Sequence, residues 1–216
     1  MSPAAVPPIG ERLREERVRR GISVRGLARD IGVSASLISQ IETDKSRPSV
    51  STLYAITSAL GISVEELFDS HGGGGGDGDV PAQALDAPPS GNRRVTGPDR
   101  QRLVGPVVQP MHRELLTLDS GVTWERLGQL PDSHVDFLLI TYQPGATSSS
   151  SGQLMRHSGT EYGYVISGEL ILTLGFDEHR LAAGDAISFE SSTPHGYRNE
   201  GDVPAVGVWF VVDRSH

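Results

Sequence analysis

Three residues in the C-terminal half have side chains that can do chemistry together: His157, Glu161 four positions later, and His195. Two imidazoles and a carboxylate form a facial triad that suits iron, manganese, nickel or zinc and leaves coordination positions open. The 216-residue chain has no cysteine, which excludes disulfides, thiolate metal sites and thiol nucleophiles, so any metal must be held by histidine and carboxylate. Residues two and four apart along a strand share a face, so Gln153, Met155, His157 and Glu161 are expected to look inward and line one ligand site with His195. Three uses of the triad stand open: a metal ion with a sensory or structural role, a metal-free pocket that hydrogen-bonds an organic effector, or a satisfied polar interior. The last is disfavoured because burying charge without a partner is costly. Tyr162, Tyr164 and Trp209 read as core or wall residues, and His71, His112, His134, His179 and His216 as surface.

The elements that must position this triad are strands. Val135–Tyr142 runs into Pro144-Gly145, Tyr162–Leu174 ends at Gly175, Ala186–Phe189 follows Gly184-Asp185, and Ala205–Val212 comes last. Short strands separated by Gly, Pro and Asp turns over about 100 residues predict an all-β sandwich or barrel.

The N-terminal third has a different period. From Ile9 to Phe68 apolar residues recur at helical spacing, broken by glycines and by serines placed to cap the next helix. Five short helices are predicted: Ile9 to Arg20, one capped by Ser23, a third by Ser34, a fourth by Ser49, and a fifth opened by Ser63-Val64-Glu65-Glu66 as a capping box. The apolar stripe of the first is thin, Ile9 and Leu13, and its Arg-rich remainder is expected to be solvated.

The second and third helices are separated only by Gly32-Val33-Ser34, the tight turn a helix-turn-helix needs. The third helix presents Ala35, Ser36, Ser39 and Gln40, followed by Lys45 and Arg47. A glutamine amide pairs with adenine, serine reaches base or phosphate, and Lys45 and Arg47 suit phosphates or a minor-groove edge. Net charge is −8, yet residues 9–50 hold nine Lys and Arg against six Asp and Glu, so positive charge is concentrated where DNA would bind.

Between the two patterns the chain turns to Gly72 through Gly76, Asp77-Gly78-Asp79 and Pro81 through Gly91, a composition with nothing to bury. The expected organisation is a DNA-binding domain over 9–69, a flexible linker over 70–104 that leaves domain orientation unfixed, and a sensor domain over 105–216 with its barrel core near 135–212. No apolar run approaches the roughly 18 residues that span a bilayer, and Met1–Gly10 has no signal-peptide core, so a soluble cytoplasmic protein without a membrane partner is expected.

The stretch from Ile9-Gly10-Glu11-Arg12-Leu13 through Gln40-Ile41-Glu42 and Arg47-Pro48-Ser49 to Leu60-Gly61-Ile62-Ser63 resembles the xenobiotic-response-element (XRE) and phage-repressor family of helix-turn-helix domains. The resemblance implies that the helix starting at Ser34 reads DNA, with Ser34, Ser36, Ser39 and Gln40 facing it. That family often begins its second helix with a phosphate-clamping glutamine, where this chain has Val24, and the neighbouring Arg25 is the expected substitute.

Pro144-Gly145, His157-Ser158-Gly159-Thr160-Glu161, Gly168-Glu169, Gly184-Asp185 and Thr193-Pro194-His195 resemble the two motifs of the cupin family. This implies a double-stranded β-helix, or jelly-roll, barrel. The full motif has a further histidine two positions before His157, where this chain has Met155, so a four-ligand site is not available from the motif. Together the two resemblances imply an XRE-family regulator of α+β multidomain class with a cupin sensor for a small molecule or metal, a double-stranded DNA operator and a homodimeric state. The alternative is a mononuclear non-heme iron epoxidase acting on a hydroxyalkyl phosphonate, which has the same domain order. Arg156 and Arg198 would then be the candidate phosphonate holders.

Overall fold

The structure is a computed structural model that describes residues 9–68, 107–128 and 135–212. The linker expected over 70–104 lies outside the described residues, as do His71, His134 and His216.

Among the described residues five helices come first: α1 (Ile9–Arg19), α2 (Val24–Asp30), α3 (Ala35–Glu42), α4 (Val50–Leu60) and α5 (Val64–Phe68). The expected serine caps are present. Ser23, Ser34, Ser49 and Ser63 accept from the backbone N–H of Gly26, Leu37, Thr52 and Glu66 at 2.9, 3.1, 3.2 and 3.1 Å. Each cap satisfies a first-turn donor, worth about 1 kcal/mol. Leu13, Leu27, Ile38, Ile41, Leu53 and Leu60 are buried and form the core of the bundle.

The Arg-rich face of α1 is not wholly solvated as expected. Arg17 is buried against Glu42 at the end of α3, with Nε to Oε1 at 2.5 Å and Nη2 to Oε2 at 2.9 Å, and it also donates to the Ile22 carbonyl at 2.7 Å. The physical reason is distance in sequence: only the crossing of α1 over α3 brings this carboxylate to the guanidinium.

Among the described residues nine strands follow: β1 (Leu115–Thr117), β2 (Val122–Gly128), β3 (Val135–Tyr142), β4 (Thr160–Ser167), β5 (Glu169–Leu174), β6 (Asp177–Ala182), β7 (Ala186–Glu190), β8 (His195–Arg198) and β9 (Ala205–Val212). They form a six-stranded sheet in the order β1-β2-β3-β9-β4-β7 and a three-stranded sheet β6-β5-β8, all pairs antiparallel. The run Tyr162–Leu174 is two strands rather than one. Gly168 breaks it with φ +73°, and a Cβ there would meet the Pro204 carbonyl oxygen at 2.5 Å, so only glycine can make this corner between sheets. β6 is almost wholly exposed and reads Asp-Glu-His-Arg, which leaves no alternation for a sequence reading to detect.

The helical unit and the barrel touch directly. The Ser51 N–H donates to the Ser148 carbonyl and the Asp119 N–H to the Pro48 carbonyl, both at 2.9 Å. Arg126 of β2 lies over the Phe68 ring of α5, 5.3 Å from its centroid.

Candidate functional site

The helix expected to read DNA is α3, and most of the residues expected to contact DNA lie at the surface. α2 and α3 are joined by the short turn at Gly32, and Ile38 and Ile41 anchor α3 in the core. Ser36, Ser39 and Gln40 are exposed, Ala35 is half-buried, and Lys45, Arg47 and Arg25 are exposed around them. Ser34 is exposed too, but its oxygen is engaged in capping α3, so only its hydroxyl hydrogen is available to a phosphate.

Inside the barrel the triad assembles. His157 lies on the approach to β4, Glu161 in β4 and His195 at the start of β8, and their ligating atoms all fall within 4.8 Å of one another. The turn at Gly159, φ +99°, brings His157 and Glu161 together, so they are not two positions of one straight strand. Met155 is buried and bridges to His195 by paired backbone hydrogen bonds, whereas Gln153 is exposed and does not join the site as expected. Alternation puts 155 and 157 inward, but 153 directly follows the turn that ends at Gly152 and stays at the surface.

The ring orientations carry chemical information. His157 Nδ1 lies 3.0 Å from the Ser158 carbonyl oxygen and His195 Nδ1 2.8 Å from that of Thr193. A carbonyl only accepts, so both Nδ1 atoms are the donors, and a neutral imidazole then has only a lone pair at Nε2. Both Nε2 atoms face one oxygen, Glu161 Oε1, at 2.9 and 2.8 Å. His195 Nε2 is buried and makes no well-aligned hydrogen bond there. The second carboxylate oxygen is fixed separately: Tyr197 donates to Glu161 Oε2 at 2.9 Å, and Trp209 Nε1 donates to the Tyr197 hydroxyl at 3.2 Å. Burial alone would raise the pKa of Glu161, but the two neighbouring histidines outweigh it, with the hydrogen bond to His157 the larger contribution, and bring it down to about 2. Burial and the neighbouring Glu161 charge push the Tyr142 and Tyr197 hydroxyls upward, so both remain donors. With both rings neutral, the two Nε2 lone pairs and Glu161 Oε1 would present three donors within 4.8 Å, a set that fits a divalent cation, and the carbonyls behind the histidines orient the rings as ligand partners do.

A family model described as a helix-turn-helix matches residues 13–67, and one described as a cupin domain matches residues 138–211. The HTH-type transcriptional regulator PuuR of Escherichia coli is 30% identical over 201 residues, covering 92% of this chain and 91% of its own. The chain belongs to the HTH-type transcriptional regulators. The HTH-type regulator SutR of E. coli is 27% identical over 88% of this chain and 86% of its own. A solved HTH_3-family regulator from Vibrio cholerae has the same fold, with 23% identity, a TM-score of 0.62 and coverage of 96% of both chains.

For an XRE-family regulator with a cupin barrel, the remaining positions fall into place. Trp209 lines the cavity as a wall residue, but Tyr162 and Tyr164 are about half exposed on the outer face of the large sheet, because the register turns 162 and 164 away from the neighbouring Glu161. His112 and His179 are exposed, as expected. The epoxidase reading gives way to the regulator family, and the two arginines it would need are placed elsewhere. Arg156 is exposed, while Arg198 pairs with Glu178 and Glu200 at 2.8 and 2.7 Å, and neither lines the cavity. Two features escaped the sequence reading. Tyr54 of α4 stacks on His157, and Trp124 of β2 forms a cavity wall. Tyr54 carries no motif, and only its position one helical turn beyond the inward-facing Val50 hints at a shared face. No helix among the described residues is long and apolar enough to cross a membrane.

Proposed function

We propose that this regulator binds a specific operator as a cytoplasmic homodimer and senses a divalent metal ion or small molecule in its barrel, with His157, Glu161 and His195 as the ligands. The proposed division is a DNA-binding domain over 9–69, a linker over 70–104 and a sensor over 105–216. The sensing part is supported chiefly by the placement of two buried Nε2 atoms and Glu161 Oε1 within 4.8 Å of one another. A bound iron, manganese, nickel or zinc ion would supply positive charge and open coordination positions there. The chain's own residues orient the donors and surround them with apolar walls.

DNA reading is assigned to Gln40, Ser36 and Ser39, with Ser34, Ala35, Arg25, Lys45 and Arg47 positioning the backbone. Affinity for an operator selected from fragmented genomic DNA is expected to exceed that for scrambled DNA by a factor of about 10³ or more. Gln40→Ala should reduce that discrimination by about 1–3 kcal/mol. An unchanged ratio removes Gln40 from base reading, and a wild-type ratio near unity removes the regulator mechanism.

The homodimer is supported by the outer face of the large sheet. Tyr162, Tyr164, Ile166 and Phe210 are 40–50% exposed, and Phe137 stacks on Phe210 with centroids 4.4 Å apart. A contiguous aromatic patch of this kind marks an interface, and a second copy is the partner a two-half-site operator requires. Tyr164→Glu is expected to halve the mass seen by light scattering and to weaken operator binding at least about tenfold, as loss of a bivalent contact does. A variant with unchanged mass would place the interface elsewhere.

A further inference from the structure

The cavity beside the triad, which shares Glu161 with it, is not walled by the barrel alone. Val50 and Tyr54, both from α4 of the DNA-binding unit, line it together with Trp124, Met155, Glu161 and Trp209. The Tyr54 ring lies parallel to that of His157 with centroids 4.0 Å apart and an interplanar angle of 5°, and it tilts against Trp124 at 5.8 Å. The start of α4 is pinned to the barrel by the Ser51-to-Ser148 and Asp119-to-Pro48 backbone hydrogen bonds. The space in it that a water-sized sphere can enter is about 20 Å³, little more than one water. An ion fits there while α4 is docked; an organic molecule of several heavy atoms does not. Yet the cavity has a use for such a molecule. The indole Nε1 of Trp124 is buried without an acceptor, the walls are otherwise largely apolar, and a guest carrying an acceptor would satisfy that donor.

We infer that the DNA-binding domain is itself the lid of the effector cavity: a compact apolar molecule bearing a hydrogen-bond acceptor enters only when α4 leaves His157. This rests on the cavity being the effector site. The reading face of α3 is already exposed in the docked state, so lifting the lid changes the orientation of α3 relative to the barrel rather than its access to DNA. In a dimer joined through its barrels, that orientation sets the spacing of the two reading helices.

The chain offers a direct optical test, because its two tryptophans, Trp124 and Trp209, both line the cavity. The probe is succinimide, a neutral quencher larger than water, applied to the full chain in the presence of a chelator. Val50→Asp places an unpaired charge in the docked interface, while aspartate suits the first turn of a helix. It is expected to raise the quenching constant by about threefold or more. Adding Ser51→Cys and Ser148→Cys to this variant should return quenching to the wild-type value on oxidation and release it on reduction; the absence of native cysteine leaves one possible disulfide. The inference is overturned if Val50→Asp leaves quenching unchanged, if oxidation fails to reverse the rise, or if the cysteine pair fails to form a disulfide in the wild-type background. No metal enters the assay, so its result is independent of whether the triad binds one.

Discussion

Glu42→Ala is expected to destabilise the helical domain by about 3–5 kcal/mol, the loss seen when one partner of a buried ion pair is removed. Both side chains are largely shielded from water, and the pair is bidentate, with Glu42 accepting from Nε and Nη2 of Arg17. The hydrogen bond and charge of Glu42 raise the Arg17 pKa further against the effect of burial, so truncation leaves a guanidinium that cannot shed its proton. A small domain has only about 5–15 kcal/mol of stability, so the variant should lose most of its cooperative helical transition in urea and its operator binding with it. Arg17→Met combined with Glu42→Leu should recover much of the loss, since apolar residues of similar volume replace such pairs at little cost. A single variant as stable as wild type would show that the pair is worth no more than a surface contact.

His195→Ala should reduce divalent-metal affinity by more than about 100-fold in calorimetric titration, because changing a mere outer partner of a metal ligand already costs about 10–100-fold. His195 is fully buried, its Nδ1 is committed to the Thr193 carbonyl, and its Nε2 makes no aligned hydrogen bond. A cation, or a hydrogen-bond donor on an organic guest, would use that lone pair. Operator binding by the metal-free variant should match that of the metal-free wild type, since the reading helix is built from other residues. Unchanged metal affinity would dismiss the triad as the site, and the absence of metal binding by the wild type would leave the organic effector as the barrel's guest.

The helices were legible because their signals are local. Ser23, Ser34, Ser49 and Ser63 each bond a backbone N–H three residues on, and such a contact is written within one turn of sequence. The strands were legible where burial alternates, as in β3 and β9, and illegible in β6, where Asp177 to Arg180 are all exposed. Within the site, residue type named His157, Glu161 and His195, but alternation over-reached at Gln153, which directly follows the turn at Gly152 and is exposed.

The amino-acid sequence by itself determined the two unit types, the caps, the reading helix and the three candidate ligands, all of which follow from residue chemistry at short spacing. Tertiary structure alone decided that Arg17 is buried on Glu42, that Tyr162 and Tyr164 face outward, and that Tyr54 stacks on His157 across 103 positions of chain. These pairings depend on how α1 crosses α3, on the register of β4 against β9, and on α4 seated over the barrel. Local periodicity says which face of an element is apolar; it does not say which surface that face will meet.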